Sequence, residues 1–407
     1  MNKMSTGETD SISSELRRRK SNSGWRTQLP NLLRGGIHDL WNSPPGSIPA
    51  LDILRSIAIL LVFGGHFADS FGASGELLKL PFFYWSWTGV DLFFVLSGIL
   101  IGGQLWKELK STGTIHISKF LLRRGFRIWP LYFALLTMLS VEAVLHLRSA
   151  GGLTADLFFV SNYFHHQIGG GWSLSTEEQF YILAPVLLVV FSRSPLRRHV
   201  WIGPVLLLIA SAASRAFSLS MTHENLADLR QRLYFQLHTH CDGLLLGLLI
   251  SWVQVFAFNR VRTIRVRGAV CIAMILMGIV LYAVSPVVFN FTSLALIFGA
   301  AAFLGMTPGL MTRVPDWRIF HLISRLSYGI YLNHFGLLPR LASLYARKGG
   351  STGGPIFWLS AAGSFVACAI FAAVTYQFIE WPFLRLRSRW LKSLSFGDKL
   401  AVDVTRP

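Results

Sequence analysis

The stretch that decides the fold is residues 51–66, which read LDILRSIAILLVFGGH. Between Arg55 and His66 it is almost wholly apolar or small, as in a helix that crosses a bilayer. Eleven positions separate the two side chains, so at about 100° and 1.5 Å per residue both project from one face, roughly 16 Å apart along the axis. The pattern suits a cavity that accepts an anion at one end and performs proton chemistry at the other. An equal alternative is that neither residue has a role in chemistry. In that case the Arg55 side chain only reaches the membrane surface, and His66 only forms a hydrogen bond to a neighbouring helix.

Composition indicates a membrane protein. The chain has 407 residues, of which 52% are hydrophobic and 14% charged, and its mean hydropathy is +0.48. Soluble domains rarely combine these values. The net charge of +18 lies in short loops between apolar runs, which argues for membrane topology signals and against nucleic acid as a partner. Three widely separated cysteines exclude a disulfide framework.

The apolar runs predict an all-α, polytopic integral membrane protein with about ten transmembrane helices. The loops alternate between rich and poor in Lys and Arg, so we expect an even number of spans and both termini in the cytoplasm. Residues 153–168 are too polar to cross and are expected to re-enter or to lie at the outer interface. The predicted spans are 50–70, 83–105, 128–147, 175–192, 200–219, 238–258, 269–286, 290–311, 327–345 and 356–379.

Three regions follow from this pattern. Residues 1–48 are predicted to be a flexible basic cytoplasmic tail, residues 49–385 the transmembrane domain, and residues 386–407 a second cytoplasmic tail. We find no internal repeat in the sequence.

Ionisable residues inside apolar spans usually face an interior cavity, because lipid exposure is costly. Arg124 and Arg127 stand at i and i+3, so they share a helix face and could clamp a phosphate, although an ordinary positive-inside cluster has the same spacing. Ser175 followed by Glu178 fits a capping box at a helix start. Glu177 and Glu178 point about 100° apart, so at most one faces a cavity. The other ionisable residues within predicted spans are Asp91, Glu142, Asp242, His334 and Glu380.

Seven motifs follow one another along the chain. They are LDILRSIAILLVFGGH (51–66), GVDLFFVLSGILI (89–101), RGFRIWPLY (124–132), GWSLSTEEQFYILAP (171–185), DGLLLG (242–247), LSYGIYLNH (326–334) and IEWP (379–382). In this order and over residues 50–385, the chain resembles the acyltransferase-3 family of integral membrane O-acyltransferases. It departs from the family at His240, where an arginine is often found. We expect the stand-alone form, without a fused esterase-like domain.

The resemblance implies transfer of an acyl group, commonly acetyl, from cytoplasmic acyl-CoA to a hydroxyl of a carbohydrate or glycolipid acceptor. We expect a multi-pass protein of the inner (plasma) membrane, with the bilayer and the acceptor as its partners and no metal. Arg55, Arg124 and Arg127 are expected to bind the coenzyme A phosphates.

Roles for the remaining site residues follow from the same resemblance. His66 is expected to act as general base on the acceptor hydroxyl, oriented by Glu178 or Asp91. Trp172 and His334 are expected to contact substrate, although His334 could equally pack against a neighbour. An acyl-His66 relay is an open alternative.

A different class of function is compatible with the same residues. A transporter or flippase for a lipid-linked sugar or other amphiphile would also place basic residues at a cavity mouth and carboxylates inside it. The absence of inverted repeats in the sequence and the one-face spacing of Arg55 and His66 favour the enzyme.

Overall fold

The computed structural model describes residues 36–42, 47–147, 149–195, 199–222, 225–308, 310 and 318–390. Their regular structure is helical throughout. The longer helices are α1 (Pro49–Ser70), α2 (Gly89–Thr112), α3 (Ile117–Val144), α4 (Gly171–Arg193), α5 (Ile202–Met221), α6 (Leu226–Phe235), α7 (Asp242–Phe256), α8 (Ile264–Val284), α9 (Pro286–Gly305), α10 (Arg318–Arg347) and α11 (Gly354–Thr375).

Short helical turns connect these helices. The α-helical ones are Glu76–Lys79, Pro81–Tyr84 and Leu153–Leu157, and the 3₁₀ turns are Ser86–Thr88, Leu237–Thr239 and Phe258–Val261. A π-helical turn, Tyr376–Glu380, extends α11. The segment 153–168, predicted not to cross, forms one short helix followed by turns.

The predicted fold class is confirmed, since eight helices within the described residues are long and apolar enough to span a membrane. Two predicted spans fall outside that set. Helix α7 is apolar but has 15 residues, and α10 has 30 residues but a more polar face. The count of ten and the cytoplasmic placement of the termini therefore stay predictions.

Several boundary predictions were wrong; the span predicted to begin at residue 327, for example, lies in α10, which begins at Arg318. The span predicted to begin at residue 128 begins at Ile117, because hydropathy misses a basic first part that packs against neighbouring helices. The capping box at Ser175 is also wrong, because α4 begins at Gly171, after Gly170 in the left-handed region (φ 71°). Ser175 lies inside the helix, and its hydroxyl accepts the Ser161 N–H at 3.3 Å.

Helix α2 forms the centre of the bundle. Its apolar window is 78% buried, against 17–50% for the other seven candidate spans. Gly98 of α2 and Gly247 of α7 face the opposite backbone so closely that a side chain would not fit at either position. Trp106 Nε1 donates to the Leu248 carbonyl at 2.9 Å across the same contact. The sequence motifs GVDLFFVLSGILI and DGLLLG thus meet as a glycine-mediated helix pair.

A buried ion pair joins α5, α7 and α9. Arg215 binds both carboxylate oxygens of Asp242, at 2.7 and 3.0 Å, and both side chains are 0% exposed. Ser211 and Thr292 donate to the same carboxylate at 3.0 and 2.5 Å. Asp242 is therefore engaged in holding three helices together.

The described part of the predicted tail is structured. Residues 36–41 are helical, Leu40 is buried, and Asp39 pairs with Arg325 and accepts from the Tyr376 hydroxyl. Residues 1–35, 43–46 and 391–407 lie outside the described residues, so the proposed limits of the two tails stay predictions.

Candidate active site

The first part of the site is a cavity of about 200 Å³ between α1, α2, α3, α4 and α10, which we call the arginine cavity. Arg55, Arg124 and Arg127 line it together with Glu177. The early start of α3 places two of these arginines inside the bundle, so the predicted cluster is brought together from two helices.

The arginine cavity has an excess of positive charge. Both oxygens of Glu177 already accept hydroxyl bonds, from Ser97 at 2.8 Å and Tyr181 at 2.7 Å. Nε and Nη2 of Arg124 are buried and have no hydrogen-bond partner among the described residues. Glu177 is the one carboxylate among the residues that line the cavity with these three guanidiniums. Because buried charges require compensation, the cavity is suited to bind an anion with several acceptor oxygens.

The second part is a cavity of about 250 Å³ that we call the histidine cavity. His66 lines it from α1, Trp172 from α4 and Tyr234 from α6, with Tyr331 and Phe335 from α10. The His66 ring lies 4.4 Å from the Phe335 ring, measured between centroids. An imidazole in a mostly aromatic cavity of this size can meet a small polar group.

The contacts of His66 favour one of its tautomers. His66 Nδ1 lies 2.9 Å from the Val62 carbonyl oxygen and 3.3 Å from His334 Nε2. His334 Nδ1 lies 3.1 Å from the Ile330 carbonyl oxygen, so this nitrogen carries the His334 proton and Nε2 is an acceptor. His66 Nδ1 therefore carries the donor proton, and Nε2 of His66 is the unprotonated, basic nitrogen.

The two cavities share a wall. Val90 and Tyr331 line both of them. The Tyr331 hydroxyl is bonded to Ser173 Oγ at 2.5 Å and donates to the Gly170 carbonyl at 3.2 Å. Because Tyr331 borders both spaces, these bonds fix a side chain at the boundary between the arginine cavity and the histidine cavity.

Trp172 belongs to an aromatic cluster next to His66. Its ring stacks near His240, with centroids 5.9 Å apart, and lies 4.8 Å from the Tyr234 ring. The side chain is 7% exposed, so only part of the ring borders the histidine cavity. Its predicted contact with substrate stays a prediction.

The two carboxyl groups predicted to orient His66 lie elsewhere. Glu178 accepts from Trp129 Nε1 at 3.1 Å, and Asp91 is 2.8 Å from His240 Nε2. Neither lines the histidine cavity. Of the adjacent glutamates it is Glu177 that faces the arginine cavity. Within the described part of the chain, no group of three His, Cys, Asp or Glu side chains could hold a metal.

Sequence reasoning did not single out Tyr331, Ser97 or Tyr181. Tyr331 stands three positions before His334 in the motif LSYGIYLNH, and i,i+3 residues share a helix face, so this spacing could have indicated it. Ser97 and Tyr181 contact Glu177 from two helices, and no local pattern reveals that contact.

Comparisons with known proteins agree with these motifs. The sequence model of the acyltransferase-3 family, described as an acyltransferase domain, matches residues 48–374. The chain is 26% identical, over 86% of its length, to a protein of Staphylococcus aureus (strain COL) named "Putative O-acetyltransferase". It is equally similar to a "Putative peptidoglycan O-acetyltransferase" of Bacillus subtilis (strain 168). It is 25% identical, over 82% of its length, to the "Peptidoglycan O-acetyltransferase" of Listeria monocytogenes.

The matches cover only part of those relatives. The chain spans 59%, 56% and 55% of their respective lengths. No solved structure matches the chain.

Proposed function

This chain belongs to the acyltransferase-3 family, and from that premise we propose that it is a membrane O-acyltransferase that moves an acetyl group from acetyl-CoA to a carbohydrate hydroxyl. The observation that carries the proposal is the shared wall between the two cavities. An excess of guanidinium charge lies on one side of Tyr331 and a basic imidazole nitrogen on the other.

The arginine cavity suits the charged end of the donor. Coenzyme A carries several phosphate groups, and planar guanidiniums bind phosphate oxygens in pairs. Arg124 offers two buried N–H groups without a partner among the described residues. With the donor held here, its flexible thioester arm would extend past Tyr331 to His66, along the roughly 16 Å that separate Arg55 from His66 on α1.

His66 would act as general base. Its Nε2 takes the proton of the acceptor hydroxyl while that oxygen attacks the thioester carbonyl carbon. The carbon–sulfur bond breaks, the acetyl group stays on the acceptor oxygen, and the imidazolium returns its proton to the departing thiolate of coenzyme A. Val62 and His334 hold Nδ1 throughout. An orienting role for Glu178 or Asp91 stays a prediction, and an acyl-His66 relay remains the alternative route.

The acceptor is proposed from the relatives. Two of them are named for peptidoglycan, so we propose a cell-envelope polysaccharide, with peptidoglycan as one member of that class. The basic loops favour an orientation in the inner membrane with the arginine cavity towards the cytoplasm and the histidine cavity towards the outside.

Membranes with matched amounts of wild type and His66→Ala test the proposal. They are supplied with radiolabelled acetyl-CoA and the native envelope fraction, and label in the envelope polysaccharide is followed. Transfer by wild type and its loss in the variant support the proposal. Equal labelling by both would remove His66 from the mechanism, and no labelling by wild type would contradict transfer from acetyl-CoA and favour a different donor or a transporter.

A further inference from the structure

A third cavity opens at the His66 end of the bundle. It measures about 480 Å³ and is bordered by the segment before α2, by α6 and by the turn between α8 and α9. We call it the aromatic pocket, and its rings are those of Tyr84, Trp85, Trp87, Tyr234, Tyr282 and Phe291. Arg230, Gln231 and Asn290 supply its polar groups.

The aromatic pocket adjoins the histidine cavity. Trp87 and Tyr234 line both spaces. The Tyr234 hydroxyl donates to the Trp87 carbonyl at 3.1 Å, and the two rings lie 6.2 Å apart, measured between centroids. A molecule that occupied the aromatic pocket would therefore be one residue's width from the space in which His66 lies.

We propose that the aromatic pocket binds the saccharide chain of the acceptor, next to the sugar unit that presents its hydroxyl to His66. This inference rests on the proposed function and adds a binding site to it. It commits to an acceptor that is recognised through at least two linked sugar units, one in the pocket and one at His66.

The chemistry of the aromatic pocket fits a sugar. The C–H face of a pyranose ring packs against an aromatic face, and its hydroxyl groups bond to amide and guanidinium groups. Trp85 and Tyr84 offer exposed rings, at 45% and 61%, while Asn290 and Gln231 offer amides that both donate and accept. The volume also falls within the roughly 300–1,000 Å³ of pockets that hold small molecules.

Tryptophan and tyrosine also collect at membrane interfaces without binding any ligand. The aromatic residues of such a belt do not have to line a common cavity. Here the rings converge on one space that contains amide and guanidinium groups, and the residues of two of the rings, Trp87 and Tyr234, also line the histidine cavity. Convergence and contact with the histidine cavity distinguish this set from exposed aromatic residues such as Trp358.

Full-length protein in native membranes provides the test. The acceptor is the mixture of soluble oligosaccharides released enzymatically from the native envelope, titrated against a fixed concentration of labelled acetyl-CoA. Trp85→Ala and Asn290→Ala should each raise the acceptor KM about tenfold, equivalent to one lost stacking or hydrogen-bonding contact. The KM for acetyl-CoA should not change. Trp85→Phe should restore most of the affinity because it keeps an aromatic face.

Trp358→Ala is the matched control. Trp358 is 44% exposed, close to the 45% of Trp85, and packs against Phe83 outside the pocket. An unchanged acceptor KM in both pocket variants, or an equal rise in the control, would overturn the inference while leaving the proposed function intact.

A wild type that transfers no label would contradict the proposed function instead. Binding of the same oligosaccharides to the wild type, measured by quenching of tryptophan fluorescence, then tests whether the aromatic pocket binds a saccharide. Quenching that is weakened about tenfold in Asn290→Ala supports the site, and no quenching in the wild type overturns it.

Discussion

His334 Nε2 lies 3.3 Å from Nδ1 of His66, across the interface between α10 and α1. With the proton of His334 on Nδ1, bonded to the Ile330 carbonyl, its Nε2 is an acceptor, which favours the His66 tautomer with the proton on Nδ1 and a basic Nε2. Two histidines that stand 268 positions apart in the chain are thus brought into hydrogen-bonding contact.

His66→Ala should lower acetyl transfer by about 10²–10⁴, the usual contribution of a general base. The measurement is the initial rate with saturating donor in matched membranes. His165→Ala is the control, because His165 is an exposed residue outside the histidine cavity. A loss of less than twofold in His66→Ala would contradict the assigned role.

His334→Ala should lower kcat by about tenfold, since one orienting hydrogen bond contributes roughly 1–1.5 kcal/mol. The KM for acetyl-CoA should stay unchanged. His334→Asn, whose amide oxygen can accept from His66 Nδ1, should recover part of the rate. A purely structural role would instead reduce the amount of folded protein without a change in kcat per folded molecule.

Arg124→Ala should raise the KM for acetyl-CoA roughly tenfold to a hundredfold, because a charge-assisted hydrogen bond is worth about 1.5–3 kcal/mol. Its neighbour supplies the control, since Arg123 has the same charge but does not line the arginine cavity. Steady-state kinetics over a range of donor concentrations give both values. An equal effect of Arg123→Ala would mean that net charge, and not the cavity, sets donor affinity.

Tyr331→Ala should uncouple cleavage of acetyl-CoA from transfer of its acetyl group to the acceptor. Without the ring the arginine cavity and the histidine cavity would merge, and water could reach the thioester, which a closed site excludes. We expect the ratio of acetyl-CoA hydrolysis to acetyl transfer to rise, while Tyr331→Phe, which keeps the ring and loses the bond to Ser173, stays close to wild type. An unchanged ratio in Tyr331→Ala would show that the ring does not separate the two spaces.

Arg215→Ala should destabilise the fold by about 3–5 kcal/mol, because it leaves the buried Asp242 carboxylate without its cation. The free energy of unfolding in detergent or nanodiscs measures this. Arg347→Ala, at the exposed end of α10, is a surface control of the same residue type. A change below 1 kcal/mol in Arg215→Ala would contradict the ion pair as a structural element.

Much of the fold could be predicted from local sequence. Long apolar runs specify helices because the bilayer core has no water to bond backbone N–H and C=O groups, which therefore bond within the helix. Eight of the helices carry that signal. The start of α3 was missed because its first turns are basic and polar, and only contact with neighbouring helices makes Lys119, Arg123 and Arg124 partly buried. Helix α7 falls outside these eight for a different reason, because its residues are apolar but there are only 15 of them.

The candidate site, too, could be predicted from the sequence only in part. The sequence by itself determined that Arg55 and His66 share one face of α1, because helical geometry fixes that relation from spacing alone. The tertiary structure decided that Glu177 and not Glu178 faces the arginines, that Asp91 pairs with His240, and that Tyr331 stands between the two cavities. These relations join residues of different helices, and their positions depend on helix rotation and packing, which no local pattern encodes.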